Sequence, residues 1–153
     1  MTEELKREYT RKISSANKSQ ITVLVFEIAL EYAREAGEAG SKEEFFTALS
    51  KSRKAVEQLL FSLDYNYDIS IVLMRIYNYV LEKYNHTAAT GNISDLDEAI
   101  KILTSLHGSF KEAAKSDDSK PVMSNVEKVY TGLTYSREGI NNNVNNLSRG
   151  FKV

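Results

Sequence analysis

The chain has no cysteine, no tryptophan, one proline and seven glycines among its 153 residues. Without cysteine there is no disulfide framework, no thiolate nucleophile and no thiolate-bound zinc, which suits a reducing compartment. With a single proline, Pro121, and few glycines, residues 1–115 run almost without interruption. That favours helices over a strand-rich fold, whose frequent turns need more of both residues. An excess of either charge is missing too: 20 basic side chains face 21 acidic ones, for a formal net charge of -1. Long-range attraction to nucleic acid or to an anionic membrane is therefore not expected. No apolar run approaches the roughly 18 residues of a membrane span. The opening Met-Thr-Glu-Glu-Leu-Lys-Arg-Glu-Tyr lacks the basic-then-apolar order of a signal peptide, so the chain reads as soluble and unsecreted.

What is present is helical periodicity. The densest apolar and aromatic block is Asp64 to Tyr84, where Ile69, Val72, Leu73, Ile76 and Val80 form one stripe and Ile71, Tyr77, Leu81 and Tyr84 a second. Asp64, Asn66 or Asp68 can cap its start. Before it, Lys18 to Ala36 predicts a helix capped by Asn17, with Ile21, Leu24, Val25, Ile28 and Tyr32 on one face and Val23, Phe26, Leu30 and Ala33 on another. A helix apolar on two sides needs two neighbours, or one neighbour and a ligand. Ser41 and Glu44 make a capping box for a third segment, whose inner stripe is Phe45, Leu49, Ser52, Val56, Leu59 or Leu60, and Leu63.

Residues 85–92 are predicted to form a loop, and Ser94 and Asp97 to cap a last bundle helix to Lys115, striped by Leu96, Ala99, Ile100, Leu103, Leu106, Phe110 and Ala113. Short connections between four helices imply an antiparallel bundle. The fold expected is thus an all-α, antiparallel four-helix bundle over residues 18–115. Residues 1–17 are a short helical cap with Leu5, Tyr9 and Ile13 on one face, and 116–153 a C-terminal extension. Within that extension Val122, Val126, Val129, Tyr130 and Leu133 predict a fifth helix over 121–134, followed by a flexible tail too poor in apolar residues to order itself.

Motifs for chemistry are absent. His86 and His107 have no second histidine nearby and no Glu-x-x-His spacing, and read as surface or loop residues rather than metal ligands. No Gly-x-Ser-x-Gly, phosphate-binding glycine loop or His-Glu-x-x-His occurs. The Asp64 and Asp68 carboxylates are better helix caps than an acid and base pair. Nine tyrosines without a basic groove fit protein contacts better than stacked bases. No catalytic residue, cofactor or metal is expected.

Over about residues 9–114 the chain resembles the flagellin export chaperone family, FliS. Tyr9, Ile13 and Ile21-Thr-Val-Leu-Val-Phe-Glu stand where the family reads Tyr, Val and Pro-x-x-Leu-x-x-Met-Leu-Tyr-Asp/Asn-Gly. Leu63-Asp64, Ile69, Leu73, Ile76-Tyr77-Asn78-Tyr79-Val80 and Leu81 are similar to its Leu-Asp, Ile, Leu, Leu-Tyr-Asp-Tyr-Ile/Met and Leu. Leu96, Ala99, Leu103, Leu106 and Phe110 parallel its last bundle helix, where Trp is usual at the aromatic position. The family's proline before the first bundle helix and two of its glycines are missing here, and Phe26 and Phe110 replace Tyr and Trp.

The resemblance implies a cytoplasmic bundle that binds the C-terminal segment of flagellin, prevents its premature polymerisation and delivers it for export. Export components would be further partners, nucleic acid and membrane would not, and the protein would be a monomer or weak homodimer. Val23, Phe26, Leu30, Ile71, Tyr77 and Leu81 are the candidate groove contacts, with Leu5, Tyr9 and Ile13 as an N-terminal cover. The alternative is a helical adaptor of the same architecture with another protein partner, since one bundle architecture hosts many functions.

Overall fold

The computed structural model describes residues 1–123, and all five of its helices there are α-helices: α1 (Glu3–Ser14), α2 (Lys18–Gly37), α3 (Lys42–Phe61), α4 (Ile69–Thr90) and α5 (Ile93–Ala114). Helices α2 to α5 form the expected antiparallel bundle. Each packs on its chain neighbour and α5 closes back on α2, while α1 lies chiefly on α2.

The chain starts its helices with side-chain oxygens. Thr2 accepts from the Leu5 amide, and Asn17 accepts from Gln20 N–H while the Gln20 side chain accepts from Asn17 N–H, a complete capping box. At α3, Ser41 accepts from Glu44 N–H as predicted, but the Glu44 carboxylate turns to the Gly40 amide instead of Ser41's.

Two predicted boundaries differ. Helix α4 begins at Ile69 rather than Asp64, because Asp64 turns its carboxylate to the Asn66 amide and its carbonyl to the Ser70 hydroxyl, so that residues 64–68 form turns. It also continues through the predicted loop to Thr90. The stop is Gly91, whose φ of 72° is left-handed and whose amide donates to the Thr87 carbonyl. Asn92, not Ser94, then caps α5 by accepting from Ser94 N–H. The Asn, Thr and Gly content of 85–92 signalled a loop, yet only its last two residues break the helix.

The core lies between α2 and α5. Phe26, Leu30, Val56, Leu59, Tyr77, Val80, Leu96 and Leu103 are sealed in it, and Phe26 packs its ring 5.1 Å from Phe110 and 6.1 Å from Tyr77. On α3 the choice falls to Leu59, with Leu60 only half-buried. On α5, Ala113 is exposed and drops out of the stripe.

One polar pair is sealed inside. Ser52 donates to the Ala29 carbonyl at 2.6 Å, and Tyr84 hydroxyl donates to Ser52 at 2.7 Å, tying α2, α3 and α4 together in one register. Both hydroxyls are satisfied, as buried groups must be to avoid a desolvation cost.

Most of the helix expected over 121–134 and all of the tail beyond it lie outside the described residues.

Candidate functional site

Helix α1 lies along one side of α2. Its apolar face sets Leu5, Tyr9 and Ile13 against Ile21, Leu24 and Ile28, with Ala16 completing a small cluster separate from the main core. The two apolar faces of α2 find two neighbours: Phe26, Leu30 and Ala33 enter the main core, with Val25 packed against it, Ile21 and Leu24 meet α1, and Ile28 touches both clusters. Burial pushes the Tyr9 hydroxyl up to about 12, helped by the Glu27 and Glu31 carboxylates.

The link between α1 and α2, residues 15–17, is held from the other end of the chain. After α5 the backbone turns back, and the Asn17 amide donates to the carbonyls of Asp117 (3.0 Å) and Ser119 (3.3 Å). The Asp117 carboxylate accepts from the Ser119 amide and the Ser19 hydroxyl, and these hydrogen bonds, Ser119's first, hold it down at about 2. Val122 N–H donates to the Ala16 carbonyl at 3.1 Å.

A second feature sits where α3 turns into α4. Over residues 61–72, Phe61 (83% exposed), Tyr65, Tyr67 (65%), Ile69, Ile71 (48%) and Val72 all stand in solvent. Single exposed apolar residues are ordinary, but six within twelve positions are an unusual concentration of uncovered apolar side chains. Sequence periodicity put Ile69 and Val72 in the same stripe as Leu73 and Val80. The stripe does not hold, because the buried face of α4 runs through Ser70, Leu73, Tyr77, Val80 and Tyr84 and turns Ile69 and Val72 outward.

Of the six groove candidates, five are inside. Val23, Phe26, Leu30, Tyr77 and Leu81 are buried, four of them in the main core, whereas Ile71 faces solvent within the strip just described. The three cover residues, Leu5, Tyr9 and Ile13, are brought together beneath α1. Phe61, Tyr65 and Tyr67 were missed as candidate contacts. Their signal was available: aromatic residues in a turn-rich stretch, Ser62 to Asp68, have no helical stripe to join.

On the α4 and α5 side, charge takes over from apolar contact. Lys83 bridges Asp95 (3.0 Å) and Glu98 (2.9 Å), His86 pairs with Asp95 at 2.5 Å, and Tyr79 hydroxyl donates to Glu98 at 2.7 Å. The His86 contact and then Lys83 hold the Asp95 carboxyl below its usual range, and Glu98 followed by Asp95 raises the Lys83 ammonium. His107 reaches Glu27 across to α2 at 3.1 Å. Both histidines thus join helices through a carboxylate. Among the described residues no group of three or more His, Cys, Asp or Glu is arranged to hold a metal, and no helix is long and apolar enough to cross a membrane.

The bundle thus carries a fifth helix laid on one face and a set of uncovered aromatic side chains where α3 turns into α4. No curated protein matches the chain. A family model, described as flagellar protein FliS, matches residues 1–117, which take in all five helices and the first part of the return segment. The chain belongs to the FliS family, the chaperones of flagellar protein export.

Proposed function

We propose that this protein binds the C-terminal segment of flagellin in the bacterial cytoplasm, keeps it from polymerising early, and passes it to components of the export apparatus. It works as a monomer or weak homodimer and needs no cofactor. The observation that carries the reading is the uncovered strip 61–72, with its three aromatic and three aliphatic side chains. A disordered segment that folds into an amphipathic helix needs such a surface, and its ordering cost of roughly 2–5 kcal/mol makes firm binding reversible. Ile71 is the proposed direct contact among the six groove residues, flanked by Phe61, Tyr65 and Tyr67. Val23, Phe26, Leu30, Tyr77 and Leu81 act from beneath by holding the helices that present the surface. Leu5, Tyr9 and Ile13 form the cover: when α1 lifts, Ile21, Leu24 and Ile28 become a second apolar face for the same ligand.

Calorimetric titration with a peptide from a flagellin C-terminal region tests this. Saturable one-to-one binding with a negative heat-capacity change is expected from apolar burial. Phe61→Ala and Ile71→Ala should each weaken it about tenfold, the effect of losing a central interface contact. Removing residues 1–13 should tighten binding or leave it unchanged; a large loss would make α1 part of the site instead of its cover. No binding, with or without α1, would overturn the reading and favour an adaptor with a different partner.

A further inference from the structure

We propose that residues 116–122 are a latch on the N-terminal lid, so that α1 opens only when the return segment after α5 lets go of the α1–α2 hinge. Apart from the ion pair of the Met1 ammonium with Glu35 of α2, the polar contacts that a lifting α1 would have to disturb gather at the hinge and the latch. Ala16 and Asn17 are each 3% exposed, although they lie between two helices where a flexible joint would be solvated. Asn17 is saturated: its side-chain oxygen and backbone amide are engaged with Gln20, its carbonyl with Ile21 N–H, and both protons of its side-chain amide with the Asp117 and Ser119 carbonyls. The Ala16 carbonyl, one residue nearer α1, is held by Val122 N–H. Swinging α1 off α2 requires new backbone angles at residues 15–17, and rotation at Asn17 carries the Ala16 carbonyl away from Val122.

The anchor of the latch is Asp117. Its two carboxylate oxygens take the Ser119 amide, which shapes the turn, and the Ser19 hydroxyl, which fixes that turn to the first turn of α2. The apolar cluster beneath α1 has only three buried members, Tyr9, Ala16 and Leu24, and Ala16 belongs to both the cluster and the hinge. A lid held by so little apolar surface opens easily on its own, and the latch supplies the missing restraint. Coupling of this kind is reciprocal: the latch protects the lid and the docked lid protects the latch to the same degree.

Hydrogen exchange on the full chain decides the matter without reference to any ligand. In Asp117→Ala and in Val122→Pro, which deletes the donor to Ala16, the amides of Tyr9, Lys12 and Ile13 should exchange about tenfold faster, the change expected for one lost charge-assisted or backbone hydrogen bond. Amides of Val56 and Val80 should keep their wild-type rates. The reverse experiment uses Tyr9→Ala, which should accelerate the Val122 amide by a similar factor. Unchanged α1 amides in both latch variants would overturn the proposal, as would an equal acceleration of Val56 and Val80, which would mean general destabilisation. A Val122 amide indifferent to Tyr9→Ala would refute the reciprocity and the latch with it.

Discussion

Between α2, α3, α4 and α5, eighteen buried residues form one continuous core, with Phe26, Val56, Val80, Leu96 and Leu103 fully closed off from water. Under α1, three buried residues and a few half-buried neighbours do the same work for a helix of twelve residues. Both helix sets are amphipathic, and α1 is also favourably charged, with Glu3 and Glu4 in its first turn and Arg11 and Lys12 in its last. What separates them is the number of neighbours. A helix in the square packs on two others, whereas α1 packs chiefly on one, so α1 is expected to be the less firmly held. Unequal stability of this kind is what a chaperone requires, since the parts that move for a ligand come from the weakly held end of a structure.

The largest effect expected from breaking this contrast is at the core. Leu103→Ala should cost about 2–5 kcal/mol in urea unfolding, the usual range for a large-to-small change at a sealed site. Tyr9→Ala should cost only about 1–2 kcal/mol globally, because undocking of α1 limits what its loss can take from the bundle. Comparable losses at the two positions would mean that lid and core unfold as one.

A smaller effect is expected from the buried hydroxyl pair. Ser52→Ala leaves Tyr84 without its partner in the interior and should cost about 1–3 kcal/mol. Adding Tyr84→Phe removes the stranded hydroxyl and should return part of that loss. A double variant as unstable as the sum of the two singles would show that the pair contributes only shape.

Alkali separates the two regions by another route. Burial raises Tyr77 and Tyr84 in the core and Tyr9 under the lid from 10.0 to about 12. Since the folded values exceed the unfolded one, this stabilisation is complete below pH 10 and is lost as the pH rises toward about 12. The lid should yield first. Tyrosinate absorbance and helicity should therefore change in two steps, a small one from Tyr9 and α1, then a large one with the core. A single coincident transition would argue against an independent lid.

The smallest effect on stability is expected at the corner. Phe61→Ala should change unfolding free energy by no more than about 0.5 kcal/mol, as surface positions do. Its consequence should fall on peptide binding alone. A substantial loss of stability would mean that the strip is packed in solution against something the fold itself provides.

The four-helix bundle was legible in the sequence because burial imprints a period of 3.6 on each helix, and Asn17 and Ser41 carry start signals that follow from one residue's chemistry. The split of α2 into two faces could be read, but which face met the core and which met α1 could not. Periodicity reports that a side chain avoids water and is silent about what it packs on. The same limit explains the site residues: Val23, Phe26, Leu30, Tyr77 and Leu81 look from their spacing as available as Ile71, and only packing distinguishes the five inside from the one outside. The start of α4 was misplaced because Asp64 had three ways to use its oxygens, and it chose a turn.

By itself the sequence determined an all-helical chain with no thiol chemistry, with caps at set positions and enough apolar stripes for a bundle, since these depend on composition and on contacts a few residues apart. Only the tertiary structure decided that Ser52 and Tyr84 share a buried hydrogen bond, that the strip 61–72 is left uncovered, and that Asp117 and Val122 close on the hinge beside Asn17. Those contacts join residues as much as 102 positions apart and more, and no local period or propensity encodes such a meeting.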